Sequence, residues 1–172
     1  MEKLRRLMFI SGEDFYVLSY LLLTTLWFFS NDGGRFKDHR KLTYILHLIS
    51  DKRLIDLIIR YEGREIKNLS DKEFLFSSYS KSELHKREIN KLLQVFERKK
   101  YINLIPTKNP SIYDVEINSM SFPKGLFDSS RFSAEIDSLA LLKVNVKRLR
   151  SLGLEKFLER VYKDKGINVW PI

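Results

Sequence analysis

The sequence predicts a mainly α fold with one small β-hairpin, in which a winged-helix-like middle is flanked by N- and C-terminal helices. Three observations predict it. Apolar residues recur at helical spacing through most of the chain, whereas only Tyr101 to Ile105 and Ile112 to Ile117 alternate apolar with polar. Just before those alternating runs, Ser70 with Glu73 and Ser80 with Glu83 repeat a capping-box spacing, so that two helix starts fall close together. A short helix, a tight turn, a longer helix and then a hairpin is the order of a winged helix. At 172 residues the chain is one compact domain, divided into N-terminal helices (1–68), the winged-helix-like core (69–120) and C-terminal helices (121–172).

The first helix is the apolar run Phe15 to Phe29, stopped by Asn31, Asp32, Gly33 and Gly34, since glycine suits the left-handed end of a helix. It is about five residues short of the roughly 20 that a bilayer needs, and Glu13 and Asp14 precede it, so it reads as a buried helix, or one partly covered by another subunit, and not as a membrane span. Leu42, Ile45, Leu46 and Ile49 then form one apolar stripe; Leu54, Leu57, Ile58 and Tyr61 form another after Ser50, a cap candidate. In the core, Leu69 with Phe74 and Tyr79 with Leu84 stand at staple positions around the two boxes. The longer helix, Lys81 to Lys99, carries Leu84, Ile89, Leu92, Leu93, Val95 and Phe96 on one side. Pro106, Asn109 and Pro110 turn the hairpin, with Lys108 near its tip. Beyond a connector at 119–130, residues 132–152 and 154–166 read as two helices joined near Ser151 to Gly153, and the tail from Ile167 caps a groove or docks on a partner.

Composition narrows the function. An apolar share of 44% with 31% charged residues belongs to a globular protein, and a formal charge of +9 favours a polyanion or an acidic protein as partner. Cysteine is absent, which removes disulfide scaffolds, thiolate catalysis and cysteine zinc sites together and suits a cytoplasmic location.

The stretch from Asn31 to Ser50 admits three readings: a phosphate loop, a catalytic cluster or a helix-joining turn. Its glycines are adjacent, it lies between two helices, and no hydroxyl follows the lysine as a P-loop requires. His39 has only Asp38 as a nearby acid and no nucleophile in frame, so it reads as a solvated or ion-paired side chain. His47 and His85 read as packed histidines at helix edges. Asp114 and Glu116 share a strand face and suit a divalent ion, but acids on an exposed wing strand are common. No catalytic, cofactor or metal residues are assigned.

Opposite the apolar side of the longer helix stand Lys86, Arg87, Asn90, Lys91, Gln94 and Arg98, types that suit bases and phosphates in a major groove. With Lys108 they form the candidate face for nucleic acid or an acidic partner. Glu83, Glu88 and Glu97 dilute its charge.

The apolar helix "YLLLTTLWFF", the turn "DGGRFKDHRKLTYILHL", the winged-helix-like middle and the terminal "KRLRSLGLEKFLERVY" together resemble the middle components of bacterial three-component ABC-ATPase systems, including the small subunit of Lamassu-type anti-phage defence. The resemblance implies a non-enzymatic adaptor without a cofactor that bridges an SMC-like coiled-coil ATPase and an effector, often a nuclease. It implies two signature segments. One is the glycine turn with Arg35, Phe36, Arg40, Lys41 and Leu42; the other carries Arg148, Arg150, Leu154, Glu155 and Phe157. Of these, Arg35, Phe36, Arg40, Lys41, Arg148 and Arg150 are the candidate partner-docking residues. The alternative is a winged-helix transcriptional regulator that binds DNA as a homodimer.

Overall fold

The computed structural model describes residues 12–128 and 130–172; the first eleven residues of the N-terminal segment and Ser129 of the connector lie outside the described residues. It is mainly helical with one antiparallel hairpin, as the periodicity predicts. The helices are α1 (Gly12–Ser30), α2 (Leu42–Ile49), α3 (Lys52–Arg60), α4 (Leu69–Arg98), α5 (Ser133–Asn145) and α6 (Leu154–Val161), with β1 (Ile102–Pro106) and β2 (Tyr113–Ile117) between α4 and α5.

The short helix α2 is the centre of the molecule. Every residue in it except His47 is buried, because α1, α3, α4 and α5 all pack around it. A stripe read from periodicity therefore becomes a helix surrounded on all sides. Asp51, and not Ser50, caps α3, its side chain accepting the Arg53 N–H at 3.0 Å. The buried residues of α1 include Leu21, Leu22, Leu26 and Phe29, whereas Phe15, Tyr16 and Val17 are exposed at its start. Among the described residues no helix is long and apolar enough to cross a membrane.

The helix-turn-helix expected over 70–99 is a single helix. Asn68 caps α4 by accepting the Asp71 N–H at 3.0 Å, and the chain passes Ser80 without a break. The second capping box, Ser80 with Glu83, fails because Glu83 is engaged elsewhere and the neighbouring Ser82 is held in the helix. Glu83 accepts a short hydrogen bond from the Tyr44 hydroxyl and pairs with Lys86 at 2.6 Å. Ser82 bonds back to the Ser78 carbonyl at 2.9 Å, and the Thr43 hydroxyl donates to the Ser82 carbonyl, also at 2.9 Å. Serines that favour turns in isolation are thus held helical by packing against α2. Leu84, placed in the apolar stripe by periodicity, is 74% exposed.

The hairpin pairs Ile102 with Ile117 through Pro106 with Tyr113, and Phe36 bridges Val115 on the other edge of β2 through two 2.8 Å hydrogen bonds. After the connector, α5 stops at Asn145 instead of running to residue 152. Arg148 takes a left-handed φ of 63°, so residues 146–152 fold back as a turn towards the N-terminal half. The tail docks on the chain itself: Ile167 is buried and the Trp170 N–H donates to the Tyr79 hydroxyl at 2.8 Å.

Candidate functional site

The two segments that carry the resemblance meet in space. Residues 31–41 and the turn 146–152 leading into α6 form a seam in which side chains and one amide of the first meet main chain of the second. The Lys37 N–H donates to the Arg150 carbonyl at 2.9 Å. Lys41 Nζ donates to the carbonyls of Leu149 at 2.6 Å and Arg150 at 3.2 Å, and lies 4.5 Å from the Phe36 ring centre. Burial pushes the Lys41 ammonium well down, to about 7, against the opposing pull of Asp38 and Asp114.

Asp38 is the hub of the seam. Its carboxylate accepts from Arg40 Nε at 2.8 Å and Nη2 at 2.7 Å and from the Leu154 N–H, the first residue of α6, at 2.8 Å. Burial alone would raise its pKa; the Arg40 hydrogen bonds and the Leu154 N–H outweigh that and hold it below the ordinary value. The Asp38 N–H in turn donates to Asp114 Oδ1 at 3.1 Å, which ties the seam to β2.

Placement divides the expected docking residues. Phe36 is 3% and Lys41 0% exposed, so these two face the chain's own core and carbonyls and leave the docking set. Arg40 is engaged by Asp38. Arg35 and Arg148 are exposed, and Arg150 is half-buried, its guanidinium lying where a Cβ on Gly34 would come within 3.0 Å of Nη1. Gly34 has a φ of +96°, a backbone that favours glycine there.

The candidate face lies on the continuous helix α4. Arg87, Asn90, Lys91, Gln94 and Arg98 are exposed on one side, and Lys108 is exposed in the hairpin turn. Lys86 is bound to Glu83. One of the diluting acids is withdrawn, since Glu83 turns to Tyr44 and Lys86; Glu97 stays exposed while accepting the Leu104 N–H at 3.3 Å.

The histidines are placed as follows. His39 is buried, not solvated: its Nδ1 lies 3.0 Å from the Tyr113 amide nitrogen and 3.3 Å from the Tyr113 carbonyl oxygen, and burial lowers its pKa. His47 Nε2 and His85 Nδ1, far apart in sequence, come within 2.9 Å across α2 and α4 with nearly parallel rings. Burial, with the neighbouring His85 and Lys81, lowers His47 to about 3; burial also lowers His85. The pair lines a cavity of about 270 Å³ that includes Leu21, Leu54, Phe74 and Ile89. Among the described residues no group of three or more His, Asp or Glu is placed to hold a metal ion, and Asp114 is engaged by the Asp38 amide.

Sequence reasoning missed Asp38 as a structural hub and Lys37 and Lys147 as exposed cations beside the seam. An Asp two positions before an Arg is the pattern of a local cap and was the available signal for the first. Comparison of the chain with protein families, with curated proteins and with solved structures finds no match.

Proposed function

We propose that this chain is a non-enzymatic adaptor subunit that bridges an SMC-like coiled-coil ATPase and an effector of nuclease type in an anti-phage or anti-plasmid defence complex in the cytoplasm. The observation that carries the reading is the seam. Two segments singled out by the resemblance, more than a hundred residues apart, are locked together by Asp38, Lys37 and Lys41, while Arg35 and Arg148 stay outside. Rigid backbone beneath free cations is what a docking surface needs, because little ordering remains to be done on binding.

Of the winged-helix reading of residues 69–120 the hairpin stands, after a single helix, α4, in place of a helix pair. A second reading, a DNA-binding regulator, is favoured by the exposed stripe Arg87, Asn90, Lys91, Gln94 and Arg98 on α4.

Native mass spectrometry of tagged protein from cells carrying its own operon, in moderate salt, tests both readings. Co-elution with a coiled-coil ATPase in fixed ratio is expected, and a chain recovered alone or as a homodimer on DNA would overturn the adaptor reading. On the regulator reading, replacing Arg87 or Asn90 relaxes sequence preference while replacing Lys91 reduces the salt slope.

A further inference from the structure

We propose that the exposed face running from the end of α5 onto the seam binds an acidic amphipathic segment of a partner protein. This rests on the adaptor reading for its biological setting and names the chemistry of one partner.

The cationic half is built by the seam. Phe36 bridges Val115 and faces the core, so Arg35 and Lys37 on either side of it project outward, because side chains alternate along an extended segment. Arg150 is bonded to Lys37 through its carbonyl and reaches Gly34 with its guanidinium, so its side chain follows the same segment. Its Nη1 is buried without a hydrogen-bond partner and so lies beneath the exposed face. Lys147 and Arg148 are exposed in the adjoining turn, and the Lys147 carbonyl accepts from Arg160 Nη1 at 2.7 Å, which brings a further exposed cation alongside. Among the described residues none of Arg35, Lys37, Lys147 and Arg148 has an ion-pair partner. Of the acids nearby, Asp32 is held by Lys143 at 2.6 Å and Asp38 by Arg40 at 2.7 Å, while Asp114 and Glu116 flank Val115 on β2 and Glu155 is exposed at the start of α6. Arg35, Lys37, Lys147, Arg148 and Arg160 outnumber these last three acids, so the surface carries a net positive charge.

The apolar half is on α5. Leu141 and Val144 are exposed one turn apart, Val144 at 74%, and Lys147 and Arg148 follow three and four residues after Val144. A phosphodiester backbone would satisfy the cations but gain nothing from the two aliphatic side chains. A helical segment with an apolar stripe ending in carboxylates satisfies both: the aliphatic pair supplies area removed from water, and the arginine forks fix register.

The probe is a fluorescein-labelled helical peptide with a leucine stripe and a glutamate-rich end, titrated by anisotropy against the whole chain. Binding is expected, weakened about tenfold or more by R35E/R148E and separately by Val144→Asp. The variants change exposed side chains, and an unchanged circular dichroism spectrum and Tm verify their folding. The same peptide with lysines in place of glutamates is expected not to bind, and duplex DNA not to compete. No peptide binding, binding indifferent to both variants, or displacement by the duplex would each overturn the proposal. The two readings fail separately: a chain that purifies without an ATPase yet holds the peptide through this face sinks the adaptor reading alone, and a chain that co-elutes with the ATPase yet ignores the peptide sinks the docking face alone.

Discussion

Asp38 holds a left-handed backbone, with a φ of 61°, that only a few residue types other than glycine tolerate, and it does so while its carboxylate receives Arg40 and the first amide of α6. Removing that carboxylate leaves a buried N–H at Leu154 and a partly buried guanidinium without acceptors. Asp38→Ala is therefore expected to cost about 3 kcal/mol in urea unfolding, the range for losing buried hydrogen bonds that involve a charged group. Asp38→Asn keeps one acceptor and tolerates the same backbone, so it costs less. Equal losses from the two substitutions would show that the carboxylate charge, and not the hydrogen bonding, carries the effect. The basic character of this stretch was legible in the sequence, and so was its role as a turn. The fate of Lys41 was not, because its acceptors are the main-chain carbonyls of Leu149 and Arg150, 108 and 109 residues away. No local pattern marks a lysine whose partners are backbone atoms of a distant turn.

At the scale of elements, α4 shows how far local signals reach. The spacing of Ser80 and Glu83 is a true capping signal, and in an isolated peptide the serine-rich stretch from Ser77 would favour a break. In the folded chain Tyr44, Thr43 and the buried Tyr79 hold that stretch helical, and tertiary packing overrides local preference. A single substitution separates the two outcomes. Proline is well suited to the first position of a helix but costs about 3 kcal/mol or more inside one. Lys81→Pro is thus expected to lower Tm and helical content sharply, whereas a helix beginning after Ser80 would accept it with little change. The same logic explains α5: its pattern ran on to residue 152 because Leu149 and Leu152 keep helical spacing, yet those residues serve the seam after a left-handed turn at Arg148. The hairpin was readable because alternation and two prolines act locally.

For the molecule as a whole, buried titratable groups shape stability across the pH scale. His47 titrates near 3 when folded and near 6.5 when unfolded, so below neutrality the unfolded chain binds more protons. Stability is fully present above about pH 6.5 and falls as pH drops towards 3, with a loss of about 2 kcal/mol at pH 5 from this group. His47→Gln is expected to remove most of that slope. Lys41 acts on the other side. Its folded value of about 7 lies below the unfolded lysine value of about 10.4, so the unfolded chain again holds the extra proton and stability climbs from pH 7 towards 10. Burial raises Tyr44 and Tyr162, with the Glu83 hydrogen bond adding to the former; above about pH 10 the unfolded tyrosines lose protons that the folded ones keep, and stability declines. The chain should therefore be most stable on the alkaline side of neutrality. Urea unfolding between pH 5 and 11, about the span of these transitions, should show that maximum in the parent protein, and Lys41→Met should flatten its rising limb. A maximum at pH 6 to 7, about the ordinary histidine range, with no effect of Lys41→Met on the slope above it, would mean that Lys41 keeps its charge when folded. The two carbonyls of the seam would then hold an ammonium ion, and the link between the N- and C-terminal halves would be ionic in character at every working pH.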